Sequence, residues 1–422
     1  MVSLRTSLRV MPAFWFALPI VLLAGGYGTA LYPSDHYGLG ATAMATGALP
    51  FVAGFTAATA AWEGARLRRT VWWSPTVRSR LAIVAWAVLP SVLVGFVAFL
   101  AAVGVLLVRS GATVPDPTLI AVGVLDLVAW AAVGFAAGVL LPVPVAVPVG
   151  ILLPFVWLAF VPAMDPVWLR HITGMFRDCC GLNEAMAPAA VWASVLADLG
   201  FIAAAAVLVA GRLAPLRAGA SALALALPLA AGVALVAGMT YAPVVPRDPA
   251  LLDCRESSGL TLCVWPEHAP EADVLLSTAV AVRGRWAAAG IQSPAVITEA
   301  HRSTAPAGSL PVLFSGAAPD DVITVLAGGL VPAVPDCEMG STGGIAVPWL
   351  GAWYAAAGGM SSGRLEEGFG STWNMGGTTL DPLPTVDALW KVSVEARRAW
   401  AAHAAWMVGT CAEVEQDLTV RP

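Results

Sequence analysis

Between Gly40 and Val108 the chain reads apolar, then basic, then apolar again. Residues 42–62 carry no charge, Glu63 to Arg80 holds Arg66, Arg68, Arg69, Arg78 and Arg80, and residues 81–108 are again uncharged. A bilayer core of ~30 Å needs ~20 residues of helix, and both flanking runs qualify. The same reading gives further apolar runs at 13–31, 118–141, from Pro148 to about 161, 189–210 and 218–241. These amount to about seven spans. Pro19 is expected to kink the first of them. Residues 32–37 and 109–117 read as short polar turns, and 142–148 as a proline-rich reversal. The stretch 162–188, with Trp168, Arg170, His171, Arg177 and Asp178, reads as one or two short amphipathic helices on the membrane surface.

Past Tyr241 the pattern changes. Acids become frequent, and Pro243-Val-Val-Pro246 reads as a stiff linker. Strands are expected at 260–265, 295–298 and 310–314, and helices at 272–289 and 320–330, the latter with acids in its first turn. The longest helix is expected at 385–411, with Leu389, Val392, Ala396, Trp400 and Met407 as its buried stripe. The glycine-rich stretches 340–344 and 358–377 read as loops. The expected fold is therefore an all-α polytopic membrane domain over 1–241, followed by an α+β, disulfide-containing extracytoplasmic domain over 242–422.

Composition places the whole chain in the membrane class. It is 58% hydrophobic and 12% charged, with mean hydropathy +0.78, against roughly 45–50% and about 25% for soluble domains. Arginine placement orients it, because short basic loops stay on the cytoplasmic side. Arg5, Arg9, Arg66, Arg68, Arg69, Arg78, Arg80, Arg212 and Arg217 fall on one side of the expected spans, and only Arg109, Arg170 and Arg177 on the other. This predicts a multi-pass protein of a bacterial-type cell membrane with its C-terminal domain outside. Cys179, Cys180, Cys254, Cys263, Cys337 and Cys411 then all face the oxidising side. Cys254 with Cys263 would close a hairpin, and Cys337 with Cys411 is the most economical second pair among the three pairings that these four allow. The adjacent Cys179 and Cys180 stay open between a vicinal disulfide, pairing with another chain, and two free thiols.

The sole lysine, Lys391, lies in no glycine-rich phosphate loop, so this stretch of sequence holds no P-loop ATPase. Neither H-E-x-x-H nor G-x-S-x-G occurs, which leaves zinc peptidase and serine hydrolase chemistry without support. No catalytic or metal-ligating set is assigned. Glu267 beside His268, Glu299 near His301, and His403 alone would make a site only by converging; as separate loop residues they are unremarkable surface groups. Asp126 and Asp198 are different. Each lies roughly 12–15 Å into its expected span, where acids are expensive and often functional. They would line a substrate path or relay protons, or each would simply bond a neighbouring helix. Trp72 and Trp73 read as interfacial anchors or as part of a docking surface.

The basic segment carries a family resemblance. Ala60-Ala-Trp-Glu-Gly-Ala-Arg-Leu-Arg-Arg, leaving as Ser74-Pro-Thr-Val-Arg-Ser-Arg-Leu, resembles the cytoplasmic loop of ATP-binding-cassette exporter permeases of the second type. The resemblance covers about residues 1–212. It implies a coupling helix between spans two and three, docked on a separate ATPase through Glu63, Arg66, Arg68, Arg69, Trp72, Trp73, Arg78 and Arg80. It also implies short outer helices between spans five and six, and pairing with a second copy or a related permease. The chain would then be a non-enzymatic transport subunit in the lipid bilayer, with no cofactor of its own, ATP supplied through its partner, and no nucleic-acid role. A seventh span and a cysteine-bearing outer domain depart from the pattern. They keep two other readings open: a membrane-anchored binding, sensory or accessory protein, and a proton-coupled carrier using Asp126 and Asp198.

Overall fold

The computed structural model describes residues 11–32, 36–68, 80–210, 214–333, 343–369, 373–375 and 378–410. The chain divides into two compact units, Met1–Val245 and Pro246–Pro422.

The first unit is helical. A single turn, Pro12–Trp15, precedes α1 (Ala17–Thr29), and the chain breaks between them at Phe16. Pro19 explains the break, since it offers no N–H to the Trp15 carbonyl and its ring crowds that oxygen. The helix of 13 residues is roughly 20 Å long. The first expected span is thus corrected to a shorter apolar helix. Then come α2 (Gly38–Arg68), α3 (Arg80–Ser110), α4 (Pro117–Leu140), α5 (Val143–Phe155), α6 (Pro188–Ala210) and α7 (Ala214–Val236). A π turn (Val156–Phe160) and a 3-10 turn (Val161–Ala163) prolong α5. Among the described residues 6 helices are long and apolar enough to cross a membrane: Gly38–Arg68, Ala82–Ser110, Pro117–Leu140, Val143–Ala163, Pro188–Val209 and Ala218–Val236.

The proline-rich stretch 142–148 is not a reversal. Pro142 caps α5, Pro144 sits in its first turn, where a missing N–H costs nothing, and Pro148 is carried inside the helix. The turn is confined to Leu141 and Pro142.

Helix α2 is the centre of this unit. It packs on α3, α4 and α5, and is buried on nearly every side from Leu49 to Ala65. Small residues make this possible. A Cβ at Gly134 would overlap the Ala57 carbonyl, one at Gly138 the Ala61 carbonyl, and one at Gly64 the Phe135 carbonyl. Backbones this close give dispersion contact along the helix pair, the close approach that small residues permit.

Residues 162–188 hold one short helix, a 3-10 helix (Val167–Ile172) whose Arg170, His171 and Ile172 are buried, and a strand, β1 (Glu184–Met186), paired with β2 (Val244–Pro246). Phe176 is buried and its N–H donates to Thr46 Oγ1 at 2.8 Å. The Arg170 guanidinium lies 3.4 Å from the Tyr241 ring centre and bonds Asp178. His171 bonds the Thr240 carbonyl at 2.8 Å. Burial lowers the His171 pKa and the Arg170 charge adds to this, with only the Thr240 bond opposing, so the ring is a neutral donor. Cys179 and Cys180 form a disulfide.

The second unit is an α+β fold. A four-stranded sheet runs β3 (Asp253–Ser257), β4 (Leu260–Val264), β5 (Val296–Thr298), β6 (Leu310–Pro311), antiparallel at the first pair and parallel at the others. Cys254 faces Cys263 in the hairpin register and is joined to it by a disulfide. Helix α8 (Ala272–Ala288) makes the crossover from β4 to β5. It is followed in the chain by α9 (Pro319–Leu330), α10 (Gly343–Gly358), α11 (Ser362–Phe369), α12 (Leu383–Leu389) and α13 (Val394–Thr410), with a small hairpin of β7 (Trp373–Met375) and β8 (Thr378–Leu380) between α11 and α12. The core joins Leu262 and Val264 of β4 to Trp286, Leu326, Leu350, Trp353 and Leu389.

Two expectations are corrected here. The stretch 358–377 holds α11 and β7 rather than one loop. The long helix at 385–411 is two, broken at residues 390–393, where Arg397 bonds the Leu389 and Trp390 carbonyls that end α12. Of its expected stripe, Leu389, Trp400 and Met407 are buried, Val392 packs on the core, and Ala396 is half-exposed. Cys337 and Cys411 lie outside the described residues.

Candidate functional site

Helices α4 and α6 pack together and bring Asp126 and Asp198 into one region. Asp126 is 0% and Asp198 3% exposed. The Trp130 indole donates to Asp126 Oδ1 at 3.0 Å, one helical turn along α4. Trp130 lies against Phe201 of α6, ring centres 4.9 Å apart, and Phe201 meets Trp157 edge-on at 5.2 Å. An aromatic wall thus closes one side of the acid pair. On another side the backbone passes close at Gly174, φ +79°, where a Cβ would stand 3.9 Å from both Asp126 Oδ1 and Ser194 Cβ. Asp126 Oδ2 and Asp198 Oδ2 are buried and meet no hydrogen-bond partner among the described residues. Neither acid forms an ion pair there. A buried carboxyl oxygen with no donor carries a desolvation penalty that a structural role would remove. Each such oxygen is a place where a proton can sit.

The basic segment is placed in part. Glu63, Arg66 and Arg68 are not loop residues: they form the last turns of α2. Glu63 is buried and both its oxygens accept from Arg66 Nη1, at 3.0 and 3.1 Å. Arg68 reaches the Leu140 carbonyl at the end of α4. Cations at a helix C-terminus complement its dipole, which lets the helix run past Trp62 into the charged stretch. Arg69, Trp72, Trp73 and Arg78 lie outside the described residues, and Arg80 opens α3. An apolar groove of about 460 Å³ runs along α2 and α5, walled by Phe51, Phe55, Trp62, Ile151 and Phe155.

In the second unit the histidines do not converge. Half-buried His301 bonds Ser303 at 2.8 Å, and His403 stacks on Trp406. Glu267 is bound by Arg247 through two bonds of 3.0 Å, and the Arg247 guanidinium lies 4.5 Å from the Trp265 ring centre. His268 instead meets Glu299, Nδ1 to Oε1 at 2.6 Å. Glu299 is 0% exposed and also accepts the N–H groups of Trp265 (2.8 Å) and Phe314 (3.0 Å). It therefore ties the chain just past β4 to that just past β6. For His268, burial acts to lower the pKa. The Glu299 bond and charge, with Glu271 and Glu267, outweigh it and raise the value above 6.5. Reading residues 267–268 and 299–301 as local pairs missed this long-range one.

Missed too was the glycine spacing that sets α2 against α4. Gly134 and Gly138 are a small-x-x-x-small pair, and that signal stands in the sequence.

A family model described as "Domain of unknown function (DUF7224)" matches residues 262–411, from within β4 to just past α13. No curated protein and no solved structure matches the chain.

Proposed function

We propose that the chain is the membrane-spanning subunit of an ATP-binding-cassette-type exporter, driven by a separate ATPase that docks on residues 63–80. The observation that carries this reading is the position of Arg66 and Arg68. They end α2, the helix packed against α3, α4 and α5, and Gly64 and Arg68 seat that end against α4. A displacement applied at the basic segment is delivered directly to the middle of the bundle. Interiors packed at van der Waals contact transmit such shifts rather than absorb them. The arginine bias supports an inner side for this segment, and the Cys179–Cys180 and Cys254–Cys263 disulfides support an outer side for residues 162–188 and for the second unit. The apolar groove along α2 and α5 favours a cargo with an acyl or similarly apolar part. A second copy or a related permease would complete the pathway.

Replacing Arg66, Arg68 and Arg69 together by Gln tests the docking role. The ATPase is expected to be lost from detergent-solubilised material while the subunit itself still folds; undiminished co-purification overturns it.

The orphaned oxygens of Asp126 and Asp198 favour a second reading, in which transport is coupled to a proton or cation held by that pair. Under it, Asp126→Asn and Asp198→Asn abolish transport with the ATPase still bound. Under the first reading alone both variants transport.

A further inference from the structure

We infer that a pocket in the second unit, between the end of α8, α10 and α13, binds a small organic carboxylate. The pocket has a volume of about 340 Å³, and its polar lining is Gln292, Tyr354, Arg397 and Arg398, with Trp353 and alanines of α13 as the apolar wall. Both arginines have structural contacts. Arg397 Nε and Nη2 cap the Leu389 and Trp390 carbonyls, and Arg398 Nε donates to the Gly290 carbonyl at 2.9 Å. Among the described residues, the carbonyls of Leu389, Trp390 and Gly290 take Arg397 Nε and Nη2 and Arg398 Nε, and Arg397 Nη1 and both Nη groups of Arg398 meet no hydrogen-bond partner. Neither guanidinium meets a carboxylate among the described residues, although Arg247, Arg255 and Arg364 of the same unit all do.

The buried Trp353 ring backs the pocket. Gly290 adopts φ +83°, and a Cβ there would strike Val394 and crowd Arg398 Nε at 3.0 Å, so the bare backbone is what admits that guanidinium. Burial raises the Tyr354 pKa, which keeps its hydroxyl a neutral donor. The pocket therefore offers two cations, donors and no acid, beside an aromatic and alanine surface. Guanidinium forks match carboxylates in geometry as well as charge, and the alanine wall suits a flat apolar remainder.

The test is calorimetric titration of the full chain in detergent with phenylacetate and with its neutral isostere phenylacetamide. Phenylacetate is expected to bind at one site, about tenfold or more tighter than the amide. Arg398→Gln is expected to weaken it by about tenfold or more, whereas Arg364→Gln, which breaks surface pairs to Asp321 and Glu367, leaves it unchanged. Ala402→Asp, at an exposed position on the pocket wall, abolishes binding without touching the core. Equal binding of acid and amide, binding of neither, indifference to Arg398→Gln and Ala402→Asp, or preference for inorganic phosphate each overturns the inference.

Discussion

The two units bury acids in opposite ways. Glu299 of the second unit is surrounded by donors: two backbone N–H groups and a histidine. Asp126 and Asp198 of the helical unit leave an oxygen each without any donor among the described residues. A carboxylate that accepts three bonds is a fastener, and its cost of burial is offset by what it joins. A pair that lacks them, set between helices otherwise apolar, provides no such fastening. The cores differ in the same sense. The second unit interlocks Trp286, Trp349 and Trp353 with leucines, whereas the helical unit brings backbones together over Gly64, Gly134 and Gly138.

The contrast yields graded expectations. Glu299→Ala has the largest effect. It leaves His268 and two buried N–H groups unpaired, a loss of about 3–5 kcal/mol by the measure of broken buried pairs, read as a lowered unfolding midpoint of the second unit. Gly138→Leu comes next. It forces α4 away from α2 at about 1–3 kcal/mol or more, seen as loss of monodisperse protein in detergent, with the second unit's melting unchanged. The His268 link gives a pH dependence. Its raised pKa means that the stabilisation is complete below about 6.5 and is lost as pH rises through the higher folded value. His268→Gln should remove that decline. Smallest is Asp126→Asn, expected to change stability by less than about 1 kcal/mol, because no bonded partner is stranded except the Trp130 indole, which the amide oxygen still accepts. A loss as large as that of Glu299→Ala would erase the distinction between a bonded acid and an unbonded pair.

What sequence made legible follows how local each cause is. Apolar runs located α2 to α7, and the Cys254–Cys263 hairpin was visible because its partners are near neighbours in the chain. Pro19 marked a disturbance whose true position, Phe16, follows from the carbonyl four residues before it. Helix α10 went unread because Gly343, Gly344 and Pro348 mimic a loop, and only the core around Leu350 and Trp353 holds it helical. The depth of Asp126 and Asp198 could be counted; that both are buried between packed helices depends on the rotation of α4 and α6, which packing sets. The pairing of His268 with Glu299 spans a crossover and no local pattern announces it.

The most direct test of the central proposal is to purify the tagged full chain from its native membrane in mild detergent and identify what accompanies it by mass. The account predicts a stoichiometric ATP-binding-cassette ATPase that leaves when Arg66, Arg68 and Arg69 are neutralised. A chain that transports, or signals, with no nucleotide-hydrolysing partner would contradict it.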